Sequence, residues 1–195
     1  MSKLTLDDIA DLRAYERERE AFRDHVIALK RKRRVGIGPI VTVVFENRDT
    51  VRFQIQEMAR AERMLTDEAI QIELDVYNPL VPEPGQLAMT LFIELTDKDG
   101  LMDWLPKLVG IERSLELRLH DGTVVTCTPE SAHEAQLTRE EITASVHYVY
   151  FELTPEQVEV FDTGPVVLAV HHPNYDEATD LSDDTRKELL ADLRG

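Results

Sequence analysis

The residues of this chain best suited to chemistry are carboxylates set into apolar helical faces. Glu57, Glu62 and Glu73 fall on two successive helical segments, about 50–65 and 66–77. At about 100° per residue, Glu62 shares the face of Val51, Ile55, Met58 and Leu65. Glu57 lies beside Phe53 and Met64, and Glu73 falls between Val76 and Tyr77. Such carboxylates need partners, because a buried charge without one is costly. A short turn lets the two helices pack side by side, which would bring Glu57 or Glu62 toward Glu73. Carboxylates from adjacent helices hold metals in di-iron bundles, with histidine as co-ligand. Neither segment contains a histidine. Pairing with Arg48, Arg52, Arg60 or Arg63 is therefore the stronger expectation.

Two further sets of residues invite a ligand. In the strand-like run 145–153, alternation puts His147 on the apolar face with Val149, Phe151 and Leu153. His147 and His172 with a glutamate would suit a first-row transition metal such as iron or zinc. The turn Glu46-Asn47-Arg48-Asp49 offers helix N-terminal amides, and Arg48 and Arg52 could add charge for an anion. Asp49 opposes that, so capping and ion pairing compete with it. Glu46 joins these groups as a candidate ligand or acid/base residue. The single cysteine, Cys127, has no basic neighbour in sequence and reads as structural. No P-loop, nucleotide-binding glycine fingerprint, nucleophile elbow or zinc-ligand spacing is present.

The elements that position these groups follow from periodicity. Thr5 predicts a helix start, and helical spacing from Ile9 to Leu29 extends it, with a break expected near the charged stretch 16–20. Gly36 to Pro39 ends that region. The β-branched run 40–45 predicts a buried strand, and Asp49 or Thr50 caps the next helix. Strands are expected at 87–95, 115–119, 123–128, 145–153 and 166–170, and a short helix within 96–109. His120-Asp121-Gly122 forms a hairpin turn. Thr154-Pro155-Glu156-Gln157 opens a helix, and 182–193 forms the last. The polar stretch 129–141 carries no clear period. Hairpins mixed with helices predict an α+β fold in one domain, 1–195. It has a largely antiparallel or mixed sheet, an N-terminal helical segment at about 5–35, a central helix pair and a C-terminal helix. The core spans about 40–193.

Composition narrows the class. The chain of 195 residues carries net charge −16, from 22 basic and 38 acidic residues. Such a surface repels nucleic acid and anionic membranes. Five of the basic residues form one block, Lys30-Arg31-Lys32-Arg33-Arg34. At a helix C-terminus this block complements the helix dipole, and it could dock on acidic surface of the same chain, a second copy or a partner. No apolar run reaches the roughly 20 residues of a membrane span, and the acidic start has no apolar signal core. Cytoplasmic residence is expected.

Five stretches stand out in order along the chain: Val26-Ile27-Ala28-Leu29 with the basic block and Val35; Phe45-Glu46-Asn47-Arg48-Asp49-Thr50-Val51-Arg52-Phe53-Gln54-Ile55-Gln56-Glu57-Met58; Glu73-Leu74-Asp75-Val76-Tyr77-Asn78; Ser145-Val146-His147-Tyr148; and His172-Pro173. Together they resemble a bacterial family of unknown function, DUF3501. The resemblance supplies no catalytic residues. Its members tend to be encoded beside rubrerythrin-like and iron–sulfur proteins, which implies a role near redox or oxidative-stress metabolism. The leading expectation is an accessory or binding protein acting with such a partner, or as a homo-oligomer. The alternatives are a redox enzyme using Glu and His ligands, and a binding protein for an anion or small molecule.

Overall fold

A computed structural model describes residues 2–95, 97–130 and 141–195. Among these, six α-helices and nine strands form two antiparallel sheets. Apart from its first turn, the N-terminal segment is one long helix, α1 (Leu12–Arg33), capped by Asp11, whose side chain accepts from the Ala14 amide. Thr5 caps only a single 3₁₀ turn, Leu6–Asp8. The expected break at 16–20 is absent because glutamates and arginines are good helix formers, and their charges are paired across to the next helix.

Strand β1 (Arg34–Ile37) follows directly and turns through Gly38, in the left-handed region, into β2 (Val41–Phe45). The sequence masks β1, since Gly36 within it and Gly38 just after it read as a loop. Helix α2 (Arg48–Glu62) is capped by Asn47 rather than by Asp49 or Thr50, with Thr50 completing the reciprocal bond. Its end comes at Arg63, in the left-handed conformation. Helix α3 (Asp67–Tyr77) packs back on α2, and β3 (Gln86–Ile93) follows. Then come α4 (Lys98–Trp104), β4 (Leu115–Leu119), β5 (Val124–Thr126), β6 (Thr128–Pro129), β7 (Val146–Glu152), α5 (Pro155–Thr163), β8 (Val166–His172), β9 (Tyr175–Asp180) and α6 (Asp183–Arg194). Strand β9 is a finding the sequence did not announce, because its acidic residues lie on an exposed edge. The stretch 129–141 lies mostly outside the described residues.

The first sheet has order β1-β2-β3-β7-β6 and the second β5-β4-β8-β9. Both contribute to one core. From the first sheet come Val43, Phe45, Met89, Leu91, Val149 and Phe151; from the second, Leu117, Leu168 and Val170. Period-two alternation sends the other face of the first sheet toward α1, α2 and α3. A second apolar cluster of Val51, Ile55, Leu74, Leu80 and Val81 sits there. Tyr175 joins the two sheets: its hydroxyl donates to the Ile37 carbonyl and accepts from the Ile40 amide.

Losing the Asn47 cap tests how firmly α2 is seated. Asn47→Ala is expected to lower the unfolding free energy by about 1 kcal/mol, measured by urea denaturation. No change would mean that packing alone fixes the helix start.

Candidate functional site

Between α1, the start of α2, the end of α3 and the outer face of the first sheet lies a half-open cavity of about 260 Å³. Strands β3 and β7 place Thr90 and Tyr148 side by side in register on this face, with Phe92 and Val146 beside them. Glu46 extends β2 by one more ladder bond, its amide donating to the Ala88 carbonyl at 2.8 Å. By alternation its side chain points to the same face as Val44, into the cavity. Thr50, Val51 and Gln54 line it from α2, Tyr77 and Leu80 from the end of α3, and Lys30 from the last turn of α1.

Glu46 is the central group. It is 8% exposed, and one carboxylate oxygen accepts from the Thr90 hydroxyl at 2.7 Å. Among the described residues it forms no ion pair with any Lys, Arg or His. Burial, the neighbouring Tyr77 and then Glu46 push the Tyr148 phenol up to about 12, so it stays a neutral hydroxyl. Burial raises Tyr77 as well, against the opposing effect of the neighbouring Gln54 amide.

Lys30 and the exposed Arg31 differ from the other three members of the block in forming no ion pair among the described residues, and of these two only Lys30 lines the cavity. Lys32 pairs with Glu188 at 2.9 Å, Arg33 with Asp192, and Arg34 with Glu94. The block thus docks largely on the same chain. Lys30 forms no ion pair among the described residues and lines the cavity.

The other candidates are dispersed. Glu57 is held by Arg19 of α1 through two hydrogen bonds, 2.8 and 2.9 Å, and by the Tyr15 hydroxyl at 2.7 Å. Glu62 is exposed, because α2 ends there and the left-handed Arg63 turns the chain away before Leu65. Glu73 is half-buried. Burial raises its carboxyl, and Glu62 adds to that, so these two are near enough to repel. His147 lies in the core on the opposite face of the first sheet, its Nε2 within 2.8 Å of the Thr143 hydroxyl and 2.9 Å of the Ala144 carbonyl. His172 contacts the Val109 carbonyl at 3.0 Å in the second sheet. Glu57, Glu62, Glu73, His147 and His172 are therefore not brought to one place, and no group of three potential metal-ligating side chains forms among the described residues. Arg48 bonds Asp8 and the Ser2 carbonyl, and Arg52 bonds Glu18 and the Asp8 carbonyl while stacking on Phe22. Both guanidiniums fasten the N-terminal segment to α2. Cys127 is buried, its thiol pushed up to about 11 mainly by that burial.

The Arg19–Glu57 pair has a pH signature. Arg19, then the Tyr15 hydroxyl, hold the Glu57 carboxyl below its ordinary 4.5 against the opposing effect of burial. A folded value below the unfolded one gives stability that is present above 4.5 and lost as pH falls through the lowered value. Glu57→Gln is expected to flatten that acid limb in urea denaturation between pH 5 and 3, as about those values bracket carboxylate titration. A limb as steep as that of the native chain would show that Glu57 contributes nothing to it.

Among the described residues no helix is long and apolar enough to cross a membrane. No curated protein matches the chain. A crystal structure of a protein of unknown function from Burkholderia pseudomallei superposes with a TM-score of 0.90 at 35% identity, covering 98% of this chain and 100% of that one. The model of the protein family of unknown function DUF3501 matches residues 3–193. With nearly every residue inside that match, the chain belongs to the DUF3501 family.

Proposed function

We propose that this protein binds a small organic cation, an ammonium or guanidinium, with Glu46 as its anchor. One observation carries the reading: a buried carboxylate faces a cavity with no cation paired to it among the described residues. Buried charges are normally paired, so a carboxylate left in this state suits a positively charged guest. The surroundings fit such a guest. Tyr77, Tyr148 and Phe92 offer aromatic surface to a cation and its carbon body, and the Gln54 amide lines the same space. A single carboxylate among hydroxyls and an amide is a poor donor set for iron or zinc, which favour imidazole or thiolate.

Titration calorimetry with butylamine, butylguanidine and butyrate tests the reading. The two cations are expected to bind and butyrate is not. Glu46→Gln is expected to weaken cation binding by about 100-fold, as loss of one buried charge partner costs roughly 3 kcal/mol. Absence of binding by either cation, or unchanged affinity in Glu46→Gln, overturns it.

A separate observation supports an accessory role beside a partner in the cytoplasm. Leu65 is 82% exposed and Ile72 61%, on a hairpin also carrying Glu62, Asp67, Glu68 and Asp75. Exposed apolar residues in an acidic frame suit a partner surface, and the family resemblance suggests a rubrerythrin-like or iron–sulfur protein. Co-purification of the tagged chain from its native host is expected to recover such a protein, with loss on Ile72→Asp. Recovery of the chain alone counts against this role.

A further inference from the structure

We infer that the guest of this cavity is a zwitterion, an amino acid whose ammonium meets Glu46 and whose carboxylate meets Lys30. The inference rests on the cation-binding reading above and narrows it to one ligand class.

Lys30 and Glu46 reach the same cavity from separate elements, the last turn of α1 and the residue after β2, yet they form no ion pair with each other. Three of the other four members of the basic block have acidic partners on this chain: Glu188, Asp192 and Glu94 take Lys32, Arg33 and Arg34, while Arg31 is exposed to solvent. Lys30 is the member turned to the cavity, and it remains without such a partner among the described residues. A positive and a negative side chain thus share one half-closed space of about 260 Å³. That size lies just below the usual range of about 300–1,000 Å³ for ligand pockets, so the guest is small.

Charge balance then selects among small guests. A simple amine would neutralise Glu46 and leave Lys30 facing the amine's carbon body. A simple carboxylate would neutralise Lys30 and leave the more deeply buried Glu46 uncompensated. A zwitterion neutralises both, and brings no net charge into an enclosed site. Between the two poles the lining is carbon-rich, with Leu80, Phe92, Val146 and the rings of Tyr77 and Tyr148. This favours an aliphatic or aromatic side chain over a further polar one. The Thr90 hydroxyl, which donates to Glu46, stands at the polar end.

The test compares amino acids with the amines they become on loss of the carboxylate: free leucine against isopentylamine, and free phenylalanine against phenethylamine, by titration calorimetry on the full chain. Each amino acid is expected to bind at least ten-fold more tightly than its amine. Lys30→Met is expected to bring the amino acid down to the level of the amine, Lys30→Arg to restore much of the difference, and Glu46→Gln to weaken both. 5-Aminopentanoate against butylamine makes a third such pair, and the size of its advantage beside that of leucine tells whether the two poles are separated or adjacent. Amines binding as tightly as their amino acids, or an amino acid advantage that survives Lys30→Met, overturns the zwitterion while leaving the cation reading in place. No binding of amine or amino acid to the native chain overturns both. Circular dichroism of each variant confirms folding, which the half-buried position of Lys30 favours.

Discussion

Replacing Arg33 with alanine is expected to lower the unfolding free energy by about 3–5 kcal/mol, the largest single effect expected in this protein. Arg33 is 2% exposed and Asp192 3%. Its two terminal nitrogens grip the two carboxylate oxygens at 2.5 and 3.1 Å, and Glu188 lies 3.6 Å away. The pair fastens the end of α1 to α6, so it holds in place the turn that presents Lys30 to the cavity. Removing the guanidinium strands Asp192 as a buried charge. For a domain of this size the loss corresponds to a fall in Tm of roughly 10 °C, read by circular dichroism.

The pH dependence of this loss separates charge from packing. Burial already holds the Asp192 carboxyl above its ordinary 3.8, despite Arg33. With a folded value above the unfolded one, stability falls as pH rises from 3.8 through the raised value. Without Arg33 that window extends further upward. The deficit of Arg33→Ala relative to the native chain is thus expected to be greatest at neutral pH and to shrink as pH falls toward 3.8. The double variant Arg33→Met with Asp192→Leu is expected to return most of the stability, since an apolar pair of similar volume often matches a buried ion pair. A deficit that is constant with pH would assign the effect to lost packing of the long arginine side chain instead.

Glu46→Gln is expected to move stability the other way. Most substitutions of buried residues destabilise by roughly 0.5–3 kcal/mol. Here the ligand-free chain is expected to gain about 1–3 kcal/mol, because an unneutralised carboxylate leaves the protein interior while the acceptor for Thr90 remains. The same variant is expected to lose its cation, so stability and binding part company, as they do where a site is held ready at a cost to the fold. Urea denaturation of native and variant chains without ligand reads the sign. A clear loss of stability in Glu46→Gln would show that the carboxylate is already neutralised in the free protein, with Lys30, which lines the same cavity, as the candidate.

Most of the scaffold was legible in the residues. The β-branched run before Phe45, the Asp121-Gly122 turn and the Thr154 to Gln157 box each specify their element through short-range sterics and hydrogen bonds. Strand alternation correctly turned His147 to the core. The α+β class and antiparallel pairing followed from these local signals, and the division into two sheets did not, because strand partners are chosen by non-local packing. The helix-face reading of Glu62 failed for a related reason. It assumed that α2 continued to Leu65, whereas Arg63 takes a left-handed conformation and leaves both residues in solvent.

The site divides in the same way. Sequence alone determined that Glu57 needed a partner, that the basic block ends a helix, and that no familiar catalytic spacing is present. The fold decided the pairings. Arg19 takes Glu57 from another helix, Asp8 and Glu18 take Arg48 and Arg52, and α6 takes Arg33. It also decided which charges stayed unpaired. Glu46 and Lys30 are 16 positions apart by their numbers, and nothing in their flanking residues distinguishes them from the paired ones. Only the packing of α1 and α2 over the first sheet encloses both beside Thr90 and Tyr148. Helix and strand starts are written in neighbouring residues because capping and periodicity act over a few positions. Charge neutralisation is settled by distances of a few ångströms between elements remote in sequence, and those exist only once the chain is folded.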